Sequence, residues 1–165
     1  MPTATTLGRR HRVARGCAIA AAVLFVALAA FQVALAAGVP WGKAAWGGGQ
    51  AELGTGLRVA SGVQAVLAGG FALVVLRRAG HRVWSPVPRR WLPAAVWVLA
   101  AYMALGTLLN ASSRSPIERA VWTPTALSLA VLCAVVAAWG PQAQAHQTTL
   151  EARRARRDEL GQRAA

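Results

Sequence analysis

The chain is poor in the residue types on which most protein chemistry depends. Its 165 residues include 2 Cys, 3 His and 5 Asp+Glu, against 18 Lys+Arg. Cys17 and Cys133 fall in separate apolar stretches, which excludes a disulfide framework and a CxxC redox pair. No Cys/His spacing matches a zinc site, and no glycine-rich phosphate loop follows a strand. The sequence therefore predicts no catalytic residue, no metal and no cofactor.

Charge is also scarce in four long apolar stretches, although the chain carries a formal net charge of +13 and is 56% hydrophobic. The stretches cover residues 17–37, 57–76, 91–110 and 121–139, with Arg58 near the start of the second. Each is close to the roughly 20 residues that an α-helix needs to cross a bilayer. Backbone polar groups find no water inside a bilayer, so each stretch must be helical.

These stretches predict an all-α polytopic membrane protein with a four-helix transmembrane domain at residues 17–139. A basic segment, residues 1–16, precedes this domain, and a basic tail, residues 140–165, follows it. Within the tail, Thr148 and Glu151 fit a capping box and predict a short helix at about residues 149–160.

Basic residues are distributed unequally between the two ends of the predicted helices. Fourteen of the 18 precede the first span, lie between the second and third spans, or follow the fourth. The other four are Lys43, Arg58, Arg114 and Arg119. By the positive-inside rule, both termini are predicted to be cytoplasmic. We expect the basic segments to be attracted to anionic lipids of the inner leaflet, and we expect no nucleic-acid partner.

The first span can also be interpreted as a signal peptide that is cleaved off. Four arginines precede it, and Ala34-Leu35-Ala36 resembles a cleavage site. Its apolar run is longer than the roughly 7 to 15 residues of such a peptide, which favours a retained helix.

Small residues recur at four-residue intervals on the fourth span, a pattern that allows close approach of helices in lipid. They are Ala126, Ala130, Ala134 and Ala138. The stripe predicts packing within the bundle, against a membrane partner, or against a second copy of the chain.

Once the helices are oriented, the polar residues within them gather at the extracytoplasmic ends. All four spans contribute, while their inner halves hold almost no polar side chain. Polar groups at membrane depth usually face the bundle interior or a water-filled cavity. We therefore predict an outward-opening polar cleft under the loops at residues 38–56 and 111–120. The candidate ligand-binding residues are Gln32, Trp41, Trp46, Glu52, Arg58, Ser61, Gln64, Asn110, Arg114, Glu118, Arg119 and Trp122.

The same residues admit a purely structural interpretation. Glu118 would pair with Arg58 or Arg114, while Gln32 and Asn110 would form hydrogen bonds between helices. The leading functional hypothesis is a non-enzymatic protein that binds a small molecule, a lipid headgroup or a partner subunit. The alternatives are a structural or accessory subunit of a membrane complex, and an extracytoplasmic membrane enzyme that uses Glu52 or Glu118 on a lipid-linked or anionic substrate.

Several short segments form a recurring pattern at the predicted outer end. They are Gly38-Val39-Pro40-Trp41-Gly42, Ala45-Trp46-Gly47-Gly48, Leu105-Gly106-Thr107-Leu108-Leu109-Asn110 and Ser113-Arg114-Ser115-Pro116, together with Gln32, Leu57-Arg58, Ser61 and Glu118-Arg119. This pattern resembles small four-span integral membrane proteins of bacteria, of actinobacterial type. This resemblance implies the fold and a location in the bacterial cytoplasmic membrane, and it carries no activity.

Overall fold

The computed structural model describes residues 4–141, which fold as four α-helices joined by short loops and contain no strand. The helices are α1 (Ala4–Ala36), α2 (Thr55–Arg78), α3 (Leu92–Ala111) and α4 (Thr123–Trp139). All four are long and apolar enough to cross a membrane. The predicted all-α, four-helix architecture is therefore confirmed, while the predicted tail helix at residues 149–160 lies outside the described residues.

Helices α1 and α2 are longer than the apolar stretches that predicted them. Helix α1 has 33 residues and begins at Ala4, so Arg9, Arg10, Arg12 and Arg15 lie on its first turns. It ends in a Schellman motif, in which Gly38 N–H donates to Leu35 O at 3.0 Å and Val39 N–H donates to Ala34 O at 3.0 Å. Gly80 follows α2 in the same way. These motifs satisfy terminal carbonyl groups that would otherwise lack partners.

Helix α4 is preceded by a π-helical turn, Glu118–Trp122, and the whole segment is helical from Pro116 onward. The fourth predicted span starts at residue 121, which puts Pro124 in its first turn. The structure instead places Pro124 well inside the helical segment that starts at Pro116. Proline has no N–H, and its ring conflicts with the carbonyl group four residues earlier. Just before Pro124 the backbone hydrogen bonds therefore reach back five residues instead of four, and Thr123 N–H donates to Glu118 O. Such π turns are frequent at functional sites.

Small side chains bring the helices together. Helix α1 packs against α2 and α4, and α3 packs against α4. The core includes Ala18, Ala21, Phe25, Ala68, Ala72, Leu129 and Cys133. In the stripe on α4, Ala126 and Ala130 are buried, Ala134 is half-buried and Ala138 is exposed. The first half of this stripe is thus already used in packing within the chain.

Helix α2 carries an arginine at each end, and each binds a carbonyl near the C-terminus of a neighbouring helix. Arg58 Nε donates to Ala36 O of α1 at 3.0 Å. Arg78, only 1% exposed, donates through Nη2 to Ala137 O of α4 at 2.6 Å. Both contacts place a cation where the helix dipole is negative.

The bundle has two distinct ends. We call the end formed by residues 37–54 and 112–117 the cavity end, because a cavity lies beneath these two loops. At this end, Ser115 Oγ donates to Lys43 O at 3.0 Å and joins the loops. We call the opposite end, formed by residues 4–16, 79–91 and 140–141, the basic end. At the basic end, the Arg10 guanidinium lies over the Trp139 ring, 5.8 Å from its centroid.

Candidate functional site

A cavity of about 390 Å³ lies at the cavity end of the bundle. Its volume falls in the range of small-molecule sites, which is about 300–1,000 Å³. Its lining combines polar, aromatic and apolar side chains from all four helices and the first loop. The lining residues are Leu28, Phe31, Gln32, Ala45, Trp46, Gln64, Tyr102, Met103, Leu105, Gly106, Leu109, Asn110, Glu118, Trp122, Thr125, Ala126 and Leu129.

Trp46 lines this cavity. Its backbone has a conformation that bulky residues rarely adopt. Its φ is +56°, in the left-handed region. Its indole Nε1–H donates to the fully buried Ser61 Oγ at 3.1 Å. Strained residues of this kind persist only where tertiary contacts hold them, and they cluster at ligand-binding sites. The position of the Trp46 ring is thus imposed by the fold.

The two glycines that follow Trp46 are required for close packing. Gly47 has φ +82°, and its N–H donates to Glu118 Oε1 at 2.8 Å. A Cβ on Gly48, which has φ +71°, would lie 2.9 Å from Ser115 Cβ and 3.0 Å from Lys43 O. A glycine run such as Gly47-Gly48-Gly49 is typical of a flexible turn, and the sequence alone favours that interpretation. The structure shows instead that it lets the first loop reach the start of the α4 segment.

Glu118 is the buried carboxylate of the cavity, with 6% of its surface exposed. Ser115 and Glu118 have the S-x-x-E spacing of a capping box, and Glu118 N–H donates to Ser115 Oγ at 3.4 Å. The reciprocal bond is not made, because Ser115 N–H donates to Ser113 Oγ at 3.1 Å. The Glu118 carboxylate instead accepts hydrogen bonds from Gly47 N–H and from the Ser113 hydroxyl. It is therefore free to line the cavity.

Neither arginine proposed as a partner neutralises Glu118 within residues 4–141. The Arg58 side chain bonds to Ala36 O, and its guanidinium packs against Gly38. Arg114 is exposed and does not line the cavity. A buried charge is costly unless it is paired or hydrogen-bonded. Here, two hydrogen bonds support the carboxylate, and no described cation balances its charge.

The hydrogen bonds between helices that the structural interpretation expects of Gln32 and Asn110 are also not formed within residues 4–141. Asn110 Nδ2 donates to Gly106 O of its own helix at 2.9 Å. Gln32 is 9% exposed, and its Oε1 has no hydrogen-bond partner in the part of the chain that the structure describes. Buried polar atoms are nearly always satisfied, so a ligand or water is the natural partner for this oxygen.

Aromatic rings build one wall of the cavity. Phe31 lies between two tryptophans, with its ring centroid 4.8 Å from that of Trp122 and 6.2 Å from that of Trp41. Trp122 Nε1–H donates to Ala44 O at 2.6 Å, which fixes the ring to the first loop. These contacts tie α1, the first loop and the π turn together around the cavity.

The structure brings half of the predicted site residues to the cavity. Gln32, Trp46, Gln64, Asn110, Glu118 and Trp122 line it. The others lie beside or outside it. Trp41 stacks on Phe31, Ser61 supports Trp46, Arg58 binds α1, and Arg119 donates to Ser113 O at 2.8 Å. Glu52 and Arg114 are exposed.

Sequence reasoning missed several residues that complete the site. Phe31 and Tyr102 line the cavity, and Ser113 and Ser115 hold the Glu118 segment. The S-x-x-E spacing from Ser115 to Glu118 was a usable signal, because it marks a helix start. Nothing local predicts the contact of Glu118 with Gly47, which joins residues 71 positions apart.

No group of three or more His, Cys, Asp or Glu residues is placed to hold a metal ion within residues 4–141. In comparisons with known proteins, no family model, no curated protein and no solved structure matches the chain.

Proposed function

We propose that this chain is a non-enzymatic integral protein of the bacterial cytoplasmic membrane that binds a small molecule in the cavity of about 390 Å³. The observation that carries the proposal is the pair of buried acceptors in its wall. Glu118 has no cationic partner, and Gln32 Oε1 has no hydrogen-bond partner, among the described residues. Binding sites typically place a few polar groups in a mostly apolar wall, as here.

The direction in which the cavity opens follows from the charge distribution. The basic residues concentrate at the opposite end of the bundle, and the positive-inside rule places that end in the cytoplasm. The ligand therefore enters from the extracytoplasmic side or from the outer leaflet. The resemblance to actinobacterial four-span proteins is consistent with this location.

The distribution of carboxylates favours binding over catalysis. General acid/base chemistry usually needs positioned groups that exchange protons with the substrate. Glu118 is the one carboxylate in the described lining, because Glu52 is exposed outside it. Gly47 N–H and the Ser113 hydroxyl each donate one hydrogen bond to a Glu118 oxygen and hold the carboxylate in place. This arrangement suits recognition of a charge better than transfer of a proton.

A cavity-filling variant tests the proposal. Gly106 lines the cavity, and a Cβ there would meet no atom within 4 Å, so Gly106→Leu fills space while raising helix propensity. Gly69→Leu on α2 is the matched control, since Gly69 is also unobstructed and lies outside the lining.

Native mass spectrometry of protein purified in a mild detergent gives the readout. The wild-type chain and Gly69→Leu should retain a bound small molecule or lipid, and Gly106→Leu should lose it. Equal retention by both variants, or no bound molecule in the wild type, contradicts the proposal.

A further inference from the structure

The charge of the cavity wall indicates which ligands it can accept. Its lining includes Glu118 and contains no Lys, Arg or His. No described cation binds this carboxylate, so the described lining has no positive charge to offset an ionised Glu118. An anionic ligand would add a second negative charge in a poorly solvated site, where repulsion between like charges is strong.

The wall offers buried acceptors to a ligand that donates. Four donor side chains of the lining are already bonded within the protein: Trp46 to Ser61 Oγ, Trp122 to Ala44 O, Thr125 to Val121 O and Asn110 to Gly106 O. The amides of Gln32 and Gln64 and the Tyr102 hydroxyl also line the cavity and donate to no atom of the described residues. The buried Gln32 Oε1 is an acceptor without a partner in the described chain. Each Glu118 oxygen accepts one bond and has capacity for another.

The remaining wall suits a cation that carries an apolar body. The rings of Phe31, Trp46, Tyr102 and Trp122 line the cavity, and aromatic faces attract ammonium groups. Leu28, Met103, Leu109 and Leu129 also line the cavity and offer no charge. An alkyl chain or ring can be buried there.

We infer that the cavity binds a primary or secondary ammonium group attached to an apolar body. The ammonium group pairs with the Glu118 carboxylate and donates a hydrogen bond to Gln32 Oε1, while the apolar body packs against the leucines and Met103. This inference rests on the proposed function and specifies its ligand class. A quaternary ammonium fits less well, because it has no N–H to offer Gln32. The ammonium group can belong to a membrane lipid with an amine headgroup or to a free amphiphilic amine.

A series of decyl compounds tests the headgroup at constant chain length. The probes are decylamine, decyltrimethylammonium, decanol and decyl sulfate, added to the full chain in detergent micelles. The concentration dependence of the thermal unfolding midpoint gives the apparent affinity. Decylamine should stabilise the protein saturably, decyltrimethylammonium more weakly, and decanol and decyl sulfate least. Equal stabilisation by decanol or decyl sulfate overturns the inference.

Two variants test the proposed contacts separately. Glu118→Gln removes the charge and keeps an oxygen that can accept from Gly47 N–H. Gln32→Leu removes an acceptor that has no partner among the described residues. This variant should therefore be at least as stable as the wild type. Each should weaken decylamine binding about tenfold or more. Glu52→Gln, which changes an exposed carboxylate outside the lining, is the control and should bind normally. Unchanged affinity in both test variants contradicts the inference.

Lipid nanodiscs distinguish the two sources of the ammonium group. In discs of phosphatidylethanolamine, retention of that lipid by the wild type and its loss in Glu118→Gln would identify a lipid headgroup. Undiminished decylamine binding in the same discs would identify a free amine. Either result supports the ammonium site.

The outcomes also separate this inference from the proposed function. If all four decyl probes bind equally and Gly106→Leu blocks them all, the cavity binds ligands but does not select ammonium. If no probe binds and nothing co-purifies with the wild type, both proposals fail.

Discussion

Neighbouring glycines in the loop over the cavity differ in the space around them. A Cβ on Gly48 would lie 2.9 Å from Ser115 Cβ, and its φ is +71°. Gly49 has φ −67° and nothing within 4 Å of an added Cβ. The pair therefore offers a local contrast between a required and a replaceable glycine.

Gly48→Ala should destabilise the protein by about 2 kcal/mol, because it combines a steric overlap with a left-handed conformation. Gly49→Ala should leave stability within about 0.5 kcal/mol of the wild type, as is usual at unconstrained surface positions. Unfolding by sodium dodecyl sulfate in mixed micelles measures both. Similar losses in the two variants would show that Gly48 is not tightly packed against Ser115.

At the residue scale, the sequence predicted which polar side chains lie at the right depth, but not their partners. Gln32 could be placed because hydropathy sets its height along the first span, and Glu118 because its loop joins the third and fourth spans at the same end. Their partners depend on how two loops meet, which brings Gly47 to Glu118 and Lys43 to Ser115. Such long-range contacts leave no periodic signal in the sequence.

At the scale of the elements, α2 links the C-termini of two neighbouring helices through its terminal arginines. Arg58 binds Ala36 O and is exposed, whereas Arg78 binds Ala137 O and is buried. A Cβ on Gly140 would overlap the Arg78 guanidinium, so the end of α4 is closely packed against this side chain. We expect the buried contact to contribute more to stability than the exposed one.

Replacing the buried arginine should be costly. Arg78→Ala should lower the free energy of unfolding by about 1–2 kcal/mol. The cavity it opens and the unpaired Ala137 carbonyl cost more than is regained by removing Nε and Nη1, which have no partner among the described residues. Arg58→Ala should cost less, since water can replace an exposed donor. Arg77→Ala, adjacent to Arg78 and only half-buried, is the control with little effect. If Arg77→Ala lowered the free energy of unfolding more than Arg78→Ala and Arg58→Ala, these roles would be contradicted.

The four helices could be predicted from apolar length, whereas the starts of the first and fourth helical segments could not. The apolar count predicted starts at residues 17 and 121, while helical structure begins at Ala4 and Pro116. Apolar length measures the part that crosses the hydrocarbon, and a helix continues beyond it where the backbone permits. The π turn at Glu118–Trp122 arises from Pro124 acting within a longer helix than the sequence predicted.

At the scale of the whole molecule, the unequal distribution of basic residues predicts the orientation in the membrane. The cavity end should face away from the cytoplasm, since the basic end carries most of the arginines. Single cysteines can test this, because the chain has only Cys17 and Cys133 to replace by alanine first.

In that background, Glu52→Cys should react with a membrane-impermeant maleimide in intact cells. Pro86→Cys, in the loop between α2 and α3, should react only after the cells are permeabilised. Both positions are exposed, so accessibility within the protein does not bias the comparison. The opposite labelling pattern would reverse the orientation and place the cavity on the cytoplasmic side.

We propose above all that an ammonium-bearing ligand occupies the cavity beside Glu118. Photolabelling with a decylamine that carries a diazirine at the end of its chain tests this location most directly. Peptide mass spectrometry should find adducts on cavity residues such as Leu28, Met103 and Leu129, and excess decylamine should suppress them. Adducts spread over exposed residues such as Val66 and Val98, with no suppression by decylamine, would contradict the claim.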